Sequence, residues 1–515
     1  MKKNLKYLLI LGLGFSTLTS CDLDLFPESS VIYNDGESMI NSIGDVNKLR
    51  NGMHQSFRVA QYGQITMAPE FMCDGFNATL DYGNNYGSIH RLDAGFTASD
   101  YEVRDMWALN YFGIKNYNLF IEHIANYEAK AAEKEIVNVA IGEAHFYRAA
   151  AYLQLVRYFA KLYEPGTSRQ DKAVPLVLTY NKEDKPAQAS VEEVYEQIKA
   201  DLDIAAEKLA AVKGKVGSTT PTIDVVNALY ARYYLDTRDW SNAASYAEKV
   251  IASGAGYALS ETKEQMEQEY INDNGNEAIM RLPATLTESG SQEPFDGVGN
   301  DVVNNLYTRA TNTNTLGLHY VPYYIPSKKL VDLYEADDLR FKQWFRNDLK
   351  VVINGATWTG EFYIFTKYHG NPALRNNTIP NARQKVKPFL ISEMYLIAAE
   401  AYWKDRKNDE SKAKLNELQQ KRGATATEAT FENIKNEWFK ETVGEGMRMI
   451  CLKRWKDGYK GRPCQEGAED VVINTNDNYC NKVVDHRAKF WIWPIPAREL
   501  KVNANLEQHA EWLDI

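Results

Sequence analysis

The sequence predicts a mainly α-helical chain whose helices pack as antiparallel pairs, and three observations carry that prediction. An apolar stripe at helical spacing runs from Glu143 to Ala160, with Phe146, Ala149, Ala150, Leu153, Val156 and Ala160 on one side. Two helical stretches, Val225 to Leu235 and Trp240 to Ile251, are separated only by Asp236, Thr237, Arg238 and Asp239, a turn short enough to force them antiparallel. A second such hairpin falls at Ser392 to Trp403 and Asp409 to Arg422, where Ala398, Ala399, Ala401 and Ala413 leave room for close helix approach. Pairs of this kind bury each stripe on the next pair, as in tetratricopeptide-like arrays. The strict repeat pattern is absent, so the reading is a degenerate helix-pair scaffold interrupted by insertions.

Taken in order, the chain opens with basic Lys2, Lys3 and Lys6, then a short apolar run from Leu8 to Phe15, then Leu18-Thr19-Ser20-Cys21. That is a secretory leader, residues 1 to 20, ending in a lipobox. The apolar run is well short of the roughly 20 residues a membrane-spanning helix needs, so it reads as a cleaved signal with Cys21 as the lipidated first residue of the mature protein. Acyl chains contribute about 0.8 kcal/mol per buried CH₂, so two or more hold a protein durably to a bilayer. Residues 21 to 36 are acidic, contain Pro27 and lack a helical period, and read as a tether. From residue 37 onward the body begins, with helices expected over Ser38 to Ala60 and Asp100 to Ala125. Ser190-Val-Glu-Glu193 is a capping box that starts a helix running to about Val212.

Composition narrows the function. Losing three lysines and no acid with the leader takes the formal charge from −10 to −13, which argues against a nucleic-acid partner. Cys73, Cys451, Cys464 and Cys480 are too few for a disulfide scaffold. Cys464 and Cys480 flank one polar loop and either bridge it outside the cytoplasm or remain paired thiols, since spacing does not reveal their separation. No Cys-x-x-Cys or Cys/His cluster suggests a metal, and Asn272 to Glu277 is oxygen-rich without calcium-loop spacing. Neither a Gly-x-Ser-x-Gly elbow, a His-Glu-x-x-His motif nor a phosphate loop occurs, and no pair of carboxylates stands out as a glycosidase pair. The expectation is a binding protein without cofactor or catalytic residues.

Candidate binding residues fall on insertions rich in aromatic residues, near 75–99 and 283–326. The chain carries 32 tyrosines, and disordered loops hold few aromatic side chains, so these insertions should be ordered. Tyr82, Asn84, Asn85 and Tyr86 offer rings to stack on the C–H face of a pyranose and amides to bond its hydroxyls. Packing tyrosines and turn-forming asparagines would leave the same pattern. Tyr320, Tyr323 and Tyr324, stiffened by Pro322 and Pro326, form a second candidate platform. Trp358 is a third, at the head of a stretch to Tyr368 that alternates like a hairpin. At least one group should be minor core beneath a loop. Arg448 and Arg454, near Glu445, should form internal ion pairs.

Several segments in fixed order carry a resemblance. These are Cys21-Asp-Leu-Asp-Leu-Phe-Pro27, Gly142-Glu-Ala-His-Phe-Tyr-Arg-Ala149, Ser190-Val-Glu-Glu-Val-Tyr195, Ala231-Arg-Tyr-Tyr-Leu-Asp-Thr-Arg-Asp-Trp240, Glu393 to Ala401, Gly444-Glu-Gly-Met-Arg448, Leu452-Lys-Arg-Trp455 and Trp493-Pro-Ile-Pro496. Across nearly the whole mature chain the sequence resembles the SusD/RagB family of Bacteroidetes outer-membrane nutrient-binding lipoproteins. It departs from the family pattern at Thr442-Val443 and at Gln508-His509-Ala510. The resemblance implies about four tetratricopeptide-like helix pairs, a loop-rich ligand-binding region and a few short strands. It further implies a lipid-anchored protein on the cell exterior that binds oligosaccharide or polysaccharide and delivers it to a SusC-like TonB-dependent transporter. Family ligand residues vary, so only loop locations carry over. The alternatives are a helical-repeat scaffold for protein partners and a family member that binds a non-glycan nutrient such as peptides.

Overall fold

A computed structural model describes residues 38–286, 307, 309–375, 377–474 and 477–513. Residues 1–37, which hold the expected leader, Cys21 and the expected tether, and residues 287–306 of the second insertion lie outside the described residues. The helices follow the periodicity closely. Helix Ile43–Val59 packs on Tyr101–Ile124, which packs on Lys134–Phe159, which packs on Val191–Lys208. Ile223–Asp236 and Trp240–Ile251 pair antiparallel, and Ile391–Lys404 lies between Trp240–Ile251 and its own partner Asn408–Lys421.

Local chemistry sets the ends. The Ser190 hydroxyl accepts from the Glu193 amide while the Glu193 carboxylate accepts from the Ser190 amide, so the capping box forms as read. The first helix begins at Ile43 rather than Ser38, because Ser42 sits in extended backbone and its hydroxyl caps the Asp45 amide. The Lys134–Phe159 helix is buried on nearly all sides rather than along one stripe, since helices cover it on two flanks. Gly142 permits one of those contacts: a Cβ there would meet Leu209 Cγ at 2.7 Å.

Much of the remaining chain forms a loop layer with its own small core of Tyr320, Ile325, Val351, Ile353, Phe362, Ile364, Val471 and Val472. The strands in it are two to four residues long. Phe76–Ala78 pairs antiparallel with Tyr324–Pro326. Ala310–Thr313, Gly317–Tyr320, Val351–Ile353 and Ala356–Trp358 lie side by side in one four-stranded sheet. The hairpin does not lie over Trp358 to Tyr368 as the alternation suggests. Trp358 closes a hairpin that begins at Val351 and turns at Asn354 and Gly355, both with left-handed backbone, the usual choice for a two-residue turn. Ile364–Phe365 pairs instead with Phe345–Arg346.

Candidate functional site

The loop layer brings three sequence-distant candidate segments together. The strand pairing of Phe76–Ala78 with Tyr324–Pro326 is extended by the Thr79 amide donating to the Tyr323 carbonyl at 2.9 Å. The Tyr324 hydroxyl donates to the Asn85 carbonyl at 2.6 Å. The tip of the Trp358 hairpin joins through the Asn354 amide, which donates to Asp81 Oδ2 at 2.9 Å.

Within that cluster the tyrosines are less open than the two platforms expected. Tyr324 is fully buried, its ring stacked on Phe71 at a centroid distance of 3.7 Å. Tyr86 is 2 % exposed and meets Phe71 edge-on. Tyr82 is 7 % exposed, and its hydroxyl is shared with the Tyr479 hydroxyl at 2.8 Å. Burial first, and then that bond, push its pKa up to about 12. Tyr320 is buried in the small core, with its hydroxyl 2.8 Å from His369 Nε2. Burial, followed by the nearby Arg375 and Arg346 charges, lowers the pKa of His369 to about 4, so the imidazole is neutral near pH 7. The physical reason for the difference is that segments only two to four residues deep in strand need rings between them to exclude water.

Asn84, Asn85, Tyr323 and Trp358 retain solvent exposure. Asn84 Oδ1 accepts from Arg91 Nη1 at 2.7 Å, and Arg91 is held in turn by Asp93 at 2.8 Å. Asn85 Nδ2 donates to the Tyr82 carbonyl at 2.7 Å. The exposed Arg309 bonds the Tyr323 hydroxyl, and its guanidinium lies 5.0 Å from the Tyr323 ring centroid. Trp358 packs one side on Phe362. Around Tyr323 the open groups are therefore amide and guanidinium, a set able to bond a polyhydroxylated ligand, while Trp358 is half-buried against the small core.

Sequence reading missed Arg91, Arg309 and, beyond the two cysteines flanking a polar loop, the segment made by residues 462–474 and 477–482. That segment completes the layer: the Leu80 amide donates to the Val471 carbonyl and the Ile473 amide to the Ala78 carbonyl. It is anchored by Arg462, buried and donating to the carbonyls of Cys73, Met72 and His90. Nothing local in the sequence signals partners so far away along the chain. The internal ion pairs form, but not with Glu445: Arg448 pairs with Asp74, Arg454 with Glu400, and Glu445 with Lys367.

A cavity of about 150 Å³ lies apart from this face, between the Lys134–Phe159 helix and residues 384–390. It is lined by the Arg232–Glu393 ion pair and by Gln154 and Tyr270, which each hold a buried oxygen without a hydrogen-bond partner among the described residues. Among the described residues no group of three or more His, Cys, Asp and Glu side chains is placed to hold a metal ion. The carboxylates of Asp273 and Glu277 are taken by Lys387 and Arg422. No described helix is long and apolar enough to cross a membrane.

Two family models match in succession, one described as starch-binding associating with outer membrane over residues 23–235, the other as the SusD family over residues 262–512. No curated protein sequence matches the chain. Among solved structures, a SusD superfamily protein from Bacteroides thetaiotaomicron is similar with a TM-score of 0.74 at 20 % identity, covering 90 % of this chain and 99 % of that one. A SusD superfamily protein from Bacteroides vulgatus aligns with a TM-score of 0.71 at 17 % identity, over 92 % of this chain and 100 % of its own. A SusD-like carbohydrate binding protein from the same species gives 0.67 at 20 %, over 91 % and 98 %. At these identities the likeness speaks for the fold, and the successive family matches speak for descent: the chain belongs to the SusD/RagB family.

Proposed function

We propose that this protein is a cell-surface, outer-membrane lipoprotein that binds oligosaccharide or polysaccharide through its loop layer. It then delivers the ligand to a SusC-like TonB-dependent transporter without transforming it. The observation that supports the reading is that the 76–86, 309–326 and 351–358 segments are bonded to one another and leave Asn84, Arg91, Arg309, Tyr323 and Trp358 partly exposed. Membership of a family whose matching model is described as starch-binding supports it. In this reading Tyr323 and Trp358 stack on sugar rings, Asn84 and Asn85 bond hydroxyls, and Tyr82, Tyr86, Tyr320 and Tyr324 hold those groups in position from beneath. The lipid on Cys21 supplies the anchor.

Titrating residues 22–515 against a panel of glycans, with peptides in parallel, tests the ligand. Tyr323→Ala and Trp358→Ala should each weaken glycan binding about tenfold, which corresponds to about 1.4 kcal/mol. Binding of a peptide and of no glycan would reject the sugar assignment. Mass spectrometry of the protein from native envelopes should find a diacyl-modified Cys21, and an unmodified thiol there would refute the anchor. Co-purification with an outer-membrane transporter from detergent extracts tests the partner.

A further inference from the structure

We propose that Cys464 and Cys480 form a disulfide in the exported protein, and that this bond pins Val471, Ile473 and Tyr479 against the loop face. The two Sγ atoms lie 3.0 Å apart, so closing to the roughly 2.05 Å of a covalent S–S bond takes a shift of about 1 Å. Backbone pairing sets up that approach. Tyr459 and Lys460 pair antiparallel with Val484 and Val483, and the ladder continues as the Gly461 amide donates to the Lys482 carbonyl and the Arg462 amide to the Cys480 carbonyl. That ladder carries the two chains alongside one another as far as Arg462 and Cys480, two residues short of Cys464. The buried Arg462 side chain holds one flank and Tyr479 the other, through its hydroxyl to Tyr82.

The other described thiols, Cys73 and Cys451, are buried singly in the main core. Cys464 is half-buried and open to an oxidant, whereas Cys480 is buried next to Asn77 and Ile473. The hydrogen bond with Cys480 lowers the Cys464 thiol pKa below its ordinary value, and that bond together with burial raises Cys480. Cys464 is therefore the attacking thiolate. It attacks one sulfur of a disulfide-bearing oxidant and forms a mixed disulfide. Cys480 then attacks Cys464 Sγ and expels the oxidant. The two electrons and the two thiol protons leave with the oxidant as a dithiol, and the new bond closes a ring around the residues that bond Ala78, Leu80 and Tyr82.

The inference draws on the exported location proposed above, so its test separates the two. Full-length protein produced with its own leader is taken from cell envelopes in detergent, alkylated under denaturing conditions without reductant, and mapped by mass spectrometry. A linked peptide pair joining 464 and 480, lighter by two hydrogens than the thiols, is expected. Alkylation of both cysteines in protein whose leader has been removed would overturn the proposal. The same purified full chain is also equilibrated with glutathione mixtures of graded oxidising strength. Bridging is expected in the oxidising mixtures, and a dithiol that persists in the most oxidising one overturns the proposal whatever the cellular location. Bridging in the mixtures by protein that keeps its leader in cells would count against the location alone. The C464S/C480S double variant should bind the glycan panel several-fold more weakly, and Cys464→Ser alone should leave Cys480 alkylated.

Discussion

The helix scaffold and the loop layer bury their interiors by different means. Between helices the contacts are largely apolar and small, as where Ala398, Ala399 and Ala401 are buried in the Ile391–Lys404 helix between two neighbours, with isolated buried ion pairs such as Arg148–Asp201 set among them. Across the loop layer and its border with the scaffold, buried ion pairs do much of the joining. Arg422 bonds both Glu277 and Glu441, and Arg340 bonds Asp338, Glu437 and Glu441, all of them buried. The contrast teaches that regular helices can be specified by a stripe, whereas irregular segments need directional groups to choose one arrangement. Buried pairs are seldom a net gain over apolar packing, but removing one partner is costly.

The largest expected effect follows from that asymmetry. Arg422→Ala strands the Glu277 carboxylate and half-strands that of Glu441, and should cost about 3–5 kcal/mol. A urea titration measures it, and a loss below about 1 kcal/mol would mean that the charged joint is not what holds the border.

A titration of stability sharpens the same contrast. Asp74, at the border, is held well below the usual carboxylate range because Arg448 and Lys329 outweigh the burial that would raise it. For Glu102, in the first turn of the Tyr101–Ile124 helix, burial dominates and pushes it from 4.5 up to about 7. The two signs are opposite. Stability from Asp74 is present above its unfolded pKa and is lost as pH falls through the acid range. Glu102 keeps its proton longer in the folded state, so its contribution is best below pH 4.5 and is lost as pH rises to about 7. Glu102→Gln removes that loss, and its stability relative to the parent should climb by on the order of 3 kcal/mol between pH 4.5 and 8. A flat difference across that range would show that Glu102 ionises freely.

These two mechanisms also explain how much could be read from the sequence. The helices were legible because 3.6-residue spacing, caps and alanine faces are local, and Ser190 with Glu193 specified a boundary by themselves. Asn354 and Gly355 carried a turn signal, yet the alternation after Trp358 drew the hairpin downstream of its true place. Among the site residues, the segments that meet were legible as aromatic insertions, but which rings face water was not. Tyr323 and Tyr324 are neighbours in sequence, and only the pairing with Phe76–Ala78 turns Tyr324 onto Phe71 while leaving Tyr323 half-exposed. Arg462 reaches carbonyls of residues 72, 73 and 90, separations over which no periodicity speaks.

Glycines separate the regions at a smaller scale. Gly142 has ordinary helical backbone and is small because Leu209 and Lys208 press on it, so Gly142→Val should cost about 1–3 kcal/mol by overpacking. A Cβ at Gly355 would meet nothing within 4 Å among the described residues, but φ there is 75°, so Gly355→Val should cost about 1–2 kcal/mol through backbone strain alone. Truncating Leu209 to Ala should relieve the first substitution and leave the second untouched, a coupling that a double-mutant cycle in urea reads directly.

The smallest effects come from two serines that make the same cap in the two regions. Ser190 caps the eighteen-residue Val191–Lys208 helix at the surface, where water replaces a lost hydroxyl. Ser190→Ala should therefore cost about 1 kcal/mol. Ser327 caps the four-residue Lys328–Val331 helix, but its hydroxyl is fully buried and also donates to the Asp74 carbonyl at 2.8 Å. Ser327→Ala removes the cap and leaves that carbonyl short of a donor, for a cost on the order of 2 kcal/mol. If chemical denaturation returned equal losses for the two, caps in the loop layer would act as local helix signals, just as they do in the scaffold. The expected inequality would mean that even a single hydroxyl there joins distant segments, since its second bond spans from residue 327 back to residue 74.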